Sequence, residues 1–276
     1  MNNRKEQLAA LERLLDVLDR LRAECPWDKK QTYQSLRPNT IEETFELCDA
    51  LMKEDKKNIC KELGDVLMHV MFYSKIGSET EDFDIADVAN QQADKLIFRH
   101  PHIYGEVKAD TADDVLKTWE KIKLKEKDGN KTVLAGVPAS LPSLIKAYRI
   151  QDKTRNVGFD WDNRKDIWKK VHEEIDELQA ELERIDAAVA NGNDEEKKLA
   201  KADAEMEFGD VLFSMINAAR LYKLNPDNAL ESTNQKFIKR FNYIEQKAVE
   251  SGRSIADLTL AEMDKYWEEA KTLPKD

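Results

Sequence analysis

Two acidic stretches decide the reading of this chain: Glu173-Glu174-Ile175-Asp176-Glu177, and, thirty positions after Glu177, Glu207-Phe208-Gly209-Asp210. Residues three or four apart share one face of a helix, so Glu173, Glu174 and Glu177 converge on one helix and Glu207 and Asp210 on another. Two such helices side by side collect four or five carboxylates. Oxygen donors at that density repel one another unless a cation sits among them, and a set without sulfur or clustered imidazole favours Mg²⁺ or Mn²⁺ over zinc. One copy in a chain that is 36% charged would pass for a solvated helix face. The first half repeats it, however, as Glu42-Glu43-Thr44-Phe45-Glu46 and Glu62-Leu63-Gly64-Asp65.

The rest of the chain supports a helical repeat. Nine Gly and seven Pro in 276 residues are few, and strand patterns are nearly absent. Leu8, Leu11, Leu14, Leu15, Leu18 and Leu21 form an apolar stripe that predicts a helix over residues 5–23, ended by Cys25-Pro26. A second helix is expected to start near Ile41, after Pro38 and capped by Asn39 or Thr40. Further helices are expected over residues 59–76, 85–99, 112–127 and 143–155. The two copies align: Trp27-Asp28 with Trp161-Asp162, Lys95 to Arg99 with Lys236 to Arg240, and Trp119 with Trp267. The extra residues between the acidic pairs of the second copy, around 185–201 with Asn191-Gly192-Asn193 at their centre, predict a helical hairpin extending beyond the site. The domain reading is therefore 1–128, a linker with a short helix over 129–156, and 157–276.

In the second copy Val171, Ile175, Leu178, Leu182 and Ile185 are read as core, as are Phe208, Val211, Leu212, Met215 and Ile216 on the partner helix. Lys236, Lys239 and Arg240 are suited to phosphate oxygens, and Trp267 to stacking on a base.

Composition excludes several classes. A net charge of -11 argues against a nucleic-acid backbone as ligand, while a small polyphosphate bridged by metal remains compatible. Cys25, Cys48 and Cys60 have no paired spacing, which speaks for reduced thiols in a cytoplasmic protein. No apolar run approaches a membrane span. A di-iron bundle would need Glu-x-x-His pairs, whereas Ser214 stands where His69 would recur. Wide apolar faces suggest a homodimer. A non-catalytic helical module that senses nucleotides or binds a partner protein is the alternative to an enzyme.

The acidic helices, Cys25-Pro26-Trp27-Asp28, the stretch Val133 to Pro138 with Leu141-Pro142, and Val157-Gly158-Phe159-Asp160-Trp161 together resemble the MazG family over about Leu8 to Lys271. The longer hairpin around Asn191 is the departure. The resemblance implies an all-α fold of two tandem four-helix-bundle units joined by a short linker, and Mg²⁺-dependent hydrolysis of a nucleoside triphosphate to the monophosphate and pyrophosphate, with Mn²⁺ as a substitute. It implies Glu174, Glu177, Glu207 and Asp210 as metal ligands, with Glu173 or Glu174 accepting a proton from water. Lys170, Val171, His172, Glu173 and Glu174 would border the nucleotide, as would Asp203, Ala204, Glu205, Met206 and Asp210. Lys236, Phe237, Ile238, Lys239 and Arg240 would meet phosphates, and Trp267 would stack on the base. Glu43, Glu46, Glu62, Asp65, Lys95 and Arg99 would form a second site in the first repeat.

Overall fold

The computed structural model describes residues 1–107, 111, 115, 122 and 132–273; apart from 115 and 122, the helix expected over 112–127, with Trp119, lies outside the described residues. Among the described residues every regular element is helical, and no helix is long and apolar enough to cross a membrane. The chain divides into two compact units, Met1–Val115 and Leu116–Asp276.

In the first unit α1 spans Arg4–Glu24, α2 Tyr33–Met52, α3 Lys56–Glu79, α4 Ile85–Arg99 and the single turn α5 Pro101–Tyr104. Side-chain caps mark the starts: Asn3 and Glu6 form a capping box on α1, and Asp84 and Asp87 another on α4. The start of α2 differs from expectation. Thr32 and Ser35 close a capping box eight residues ahead of Thr40, so the helix nucleates at Tyr33 and runs through Pro38. A proline this close to the N-terminus removes a single ladder bond, which the cap and the packing of Leu36 offset. Leu18, Leu36, Met71, Phe72 and Ile76 form the buried core of this unit. Full burial of each such side chain contributes about 1.5–3 kcal/mol.

The second unit contains α6 Ser143–Arg155, α7 Ile167–Ala190, α8 Asp194–Leu221, α9 Pro226–Glu250 and α10 Leu260–Lys271. The expected hairpin is present, with α7 and α8 packed against each other. Its turn is closed by Gly192, whose φ of 63° suits the left-handed region that glycine enters without penalty. The Asn193 N–H reaches the Ala188 carbonyl and the Gly192 N–H that of Val189, a Schellman arrangement that satisfies the last carbonyls of α7. Ala188, Ala200 and Ala204 are buried on the two arms. Ile167, Val171 and Ala218 form one small core, and Ile244, Ala248 and Leu258 another.

The expected apolar stripes are only partly covered. Val171 is buried, yet Ile175 is 42% and Leu182 49% exposed, and Phe208, Leu212 and Met215 on α8 are exposed as well. Ile216 is buried. On α2 and α3, Phe45, Leu63, Leu67 and Val70 are exposed in the same way. Two paired helices shield only a narrow seam, so a stripe wider than that seam stays open until another element packs on it.

Candidate functional site

In the second unit Glu174 and Glu177 lie one turn apart on α7, with Glu207 opposite on α8. One carboxylate oxygen of each falls within 4.8 Å of the other two. Glu174 is 6% exposed. Removal from water holds the Glu177 carboxyl above its ordinary value, and Glu174 and Glu207 raise it further. Lys170, one turn before Glu174, places its Nζ 2.7 Å from Glu174 and 3.0 Å from Glu173. Hydrogen bonding to Glu174, then to Glu173, raises the ammonium pKa. Asp210, the remaining expected ligand, lies outside this trio and lines the neighbouring cavity.

That cavity has a volume of about 560 Å³. Glu174, Lys170 and Asp210 contribute to one part of its wall, and Phe159, Trp161, Ile150 and Phe213 supply apolar surface. Concave, largely apolar space with a few polar groups is the usual form of a small-molecule site. The loop that carries Phe159 and Trp161 is tied to α8 by the buried Arg220, whose guanidinium donates to both oxygens of Asp160, one of these contacts at 3.0 Å. Gly158, with φ of 91°, makes the bend that precedes this anchor. From α6, Gln151 donates its side-chain N–H to the Phe213 carbonyl at 2.8 Å, which holds α6 on α8. Gln151, Asn217 and Arg220 carry no signal in the sequence, since each sits in an ordinary helical pattern and shares the cavity wall with Glu174 and Asp210 only in three dimensions.

The first unit gathers Glu43 from α2 with Glu62 and Asp65 from α3, again within 4.8 Å. The positions that converge are not the same: this trio includes the aspartate corresponding to Asp210 and leaves out Glu46, the counterpart of Glu177. Burial first, then Asp65 and Glu46, raise the Glu43 pKa. Lys61, another residue that the sequence reading did not single out, enters this cluster with its Nζ 2.8 Å from Glu62, 3.8 Å from Asp65 and 4.0 Å from Glu46. Of the basic residues that were singled out here, Lys95 is exposed and Arg99 half-buried at the end of α4.

The other residues expected at a nucleotide lie in several settings. Val171 is 2% exposed and Ala204 6% exposed, so both serve packing. Asp203 pairs with Arg184 at 2.7 Å on the hairpin arms, and His172 is exposed with its ring nitrogen against the Trp168 carbonyl. Glu205, Met206, Lys236, Phe237, Ile238 and Lys239 are exposed. Trp267 packs against the core of Ile244, Ala248 and Leu258. The Phe237 ring lies 5.1 Å from it and the Arg240 guanidinium 5.3 Å from its centroid, so these three form a group on α9 and α10 whose members do not line the cavity.

Fold and site define a class: all-α proteins in which paired helices present converging carboxylates suited to a divalent cation. Comparison with known proteins gives the family. A model described as the MazG nucleotide pyrophosphohydrolase domain matches residues 31–104. The chain is 37% identical over 266 residues to the nucleoside triphosphate pyrophosphohydrolase of Escherichia coli (strain K12), covering 95% of this chain and 97% of that one. It is 35% identical over 270 residues to the nucleoside triphosphate pyrophosphohydrolase/pyrophosphatase MazG of Thermotoga maritima, covering 97% of this chain and 98% of the relative. The uncharacterized protein YabN of Bacillus subtilis (strain 168) is 45% identical over 248 residues, which span 90% of this chain and 48% of YabN. The chain belongs to the MazG family.

Proposed function

We propose that this protein is a nucleoside triphosphate pyrophosphohydrolase whose reaction centre is the acidic cluster of the second unit. Water adds at the α-phosphorus, the bond to the bridging oxygen breaks, and the nucleoside monophosphate and pyrophosphate leave. The observation that carries this reading is the convergence of Glu174, Glu177 and Glu207 at the edge of the 560 Å³ cavity. Carboxylates this close, one of them nearly buried, fit a hard divalent cation such as Mg²⁺ or Mn²⁺. When bound, the cation would offset phosphate charge as it shifts onto the leaving pyrophosphate.

The chain's own residues supply the rest. Glu174, Glu177 and Glu207 would hold the cation, with Asp210, one turn beyond Glu207, as a fourth candidate ligand. Glu173 is exposed beside Glu174 and accepts the proton lost by water. Lys170 neutralises Glu173 and Glu174 in the structure described and is placed to turn toward a phosphate oxygen. The base enters the cavity beside Phe159 and Trp161, whose rings offer stacking surface.

The uncovered apolar faces of α2, α3, α7 and α8 support assembly as a homodimer, in which a second copy buries them. The test of activity is a product assay on the full chain across several NTPs and dNTPs with Mg²⁺. Pyrophosphate with the matching monophosphate is expected. Orthophosphate alone would indicate a different hydrolase, and nucleotide binding without products a sensor.

A further inference from the structure

We propose that Lys61 is a built-in counter-cation that withholds the first unit's acidic cluster from divalent metal, so that the two clusters differ in metal affinity. This rests on the reading that such clusters hold cations, and adds what distinguishes them. Lys61 immediately precedes Glu62, and its ammonium contacts Glu62, Asp65 and Glu46 at 2.8, 3.8 and 4.0 Å. The counterparts of these three are Glu207, Asp210 and Glu177, and the residue before Glu207 is Met206, which is 62% exposed and carries no charge. The second unit's lysine stands elsewhere. Lys170 contacts Glu174 and the outlying Glu173, and aligned on Glu174 and Glu43 it corresponds to Asn39.

A second observation shows that the first cluster is built for more than one ammonium. Glu62 is 6% exposed, and its Oε2 is buried with no hydrogen-bond partner, while Oε1 accepts from Lys61. Leaving a buried carboxylate oxygen unmatched is costly, and a compact divalent ion between Glu43, Glu62 and Asp65 would engage it. Lys61 itself is 62% exposed, free to swing into solvent when such an ion arrives. Metal and lysine therefore compete for the same two carboxylates, Glu62 and Asp65. The first cluster binds the ion only after giving up an ammonium that reaches Glu62, Asp65 and Glu46, whereas in the second Lys170 reaches Glu174 alone of the four expected ligands.

The test is Mn²⁺ titration of the full chain without nucleotide, with free Mn²⁺ read by electron paramagnetic resonance. The wild type is expected to show one tighter class of site, removed by Glu207→Gln. Lys61→Met is expected to tighten the first cluster by roughly tenfold, the effect of removing one ionic contact. The new equivalent should survive Glu207→Gln and vanish when Glu62→Gln is added. Lys61→Arg should retain the wild-type isotherm, and Lys61→Gln serves in place of Lys61→Met if circular dichroism shows the latter misfolded. An unchanged isotherm in a folded Lys61→Met or Lys61→Gln protein overturns this inference alone. Absence of the Glu207-dependent equivalent in the wild type would overturn the functional reading together with it.

Discussion

The two acidic clusters of this chain have nearly the same sequence and different chemistry. Glu43, Glu62 and Asp65 meet with an intramolecular ammonium, that of Lys61, against Glu62 and Asp65. Glu174, Glu177 and Glu207 meet beside a cavity of about 560 Å³. The difference teaches that an acidic motif sets only which oxygens are available. Whether they serve a substrate depends on a neighbouring cation and on adjoining space, and both come from residues outside the motif.

The largest effect that would break or sharpen this comparison concerns turnover. Glu207→Gln is expected to lower pyrophosphate release by about 100-fold or more, since even partners that merely support metal ligands cost 10–100-fold. Glu62→Gln should leave the rate near wild type. Equal losses from both substitutions would show the units to be catalytically equivalent. Far-ultraviolet circular dichroism separates either result from unfolding.

Stability should separate the units next. Arg220 is buried and paired with Asp160, whereas in the first unit Arg22 is paired with the more exposed Glu79. Arg220→Met strands Asp160 and should destabilise the second unit by about 3 kcal/mol. Arg22→Met should cost less, because Glu79 recovers solvent. Thermal unfolding of the two variants checks the order.

Lys170→Met should raise KM by roughly tenfold through loss of one charge-assisted contact, with a smaller change in kcat. Lys61→Met should alter neither constant at saturating Mg²⁺. A fall in kcat alone for Lys170→Met would move that lysine from binding to the reaction step.

The smallest effect is a dependence on pH at the start of α10. Hydrogen bonds from Arg253, then from the Thr259 backbone and hydroxyl, hold the Glu262 carboxyl down at about 2, against an ordinary 4.5. A carboxyl with a depressed folded pKa adds stability above its unfolded value and loses it as pH falls from about 4.5 toward 2. The cap at the start of α10 should therefore weaken over that window, and Glu262→Gln should remove this part of the acid titration followed by helicity.

Much of the fold was legible because helical periodicity is local. The helices at Ile85–Arg99, capped by Asp84, and at Ser143–Arg155 fall on the expected residues, and the turn at Asn191-Gly192-Asn193 lies where the sequence places it. Pro38 misled because a capping box upstream outweighed a single proline. The site was legible in its acids and obscure elsewhere. Lys61 looks like any solvated charge in a 36% charged chain, and Gln151, Asp160 and Arg220 are separated by up to 69 positions before folding joins them around one cavity.

The sequence by itself determined the helices, the doubled acidic motif and the family, since each depends on spacing within a short stretch or on similarity along the whole chain. Tertiary structure decided which carboxylates converge, which lysine sits among them and where a cavity opens. Those outcomes depend on distances between side chains from different helices, and the spacing of residues along one helix carries no record of what its neighbour brings.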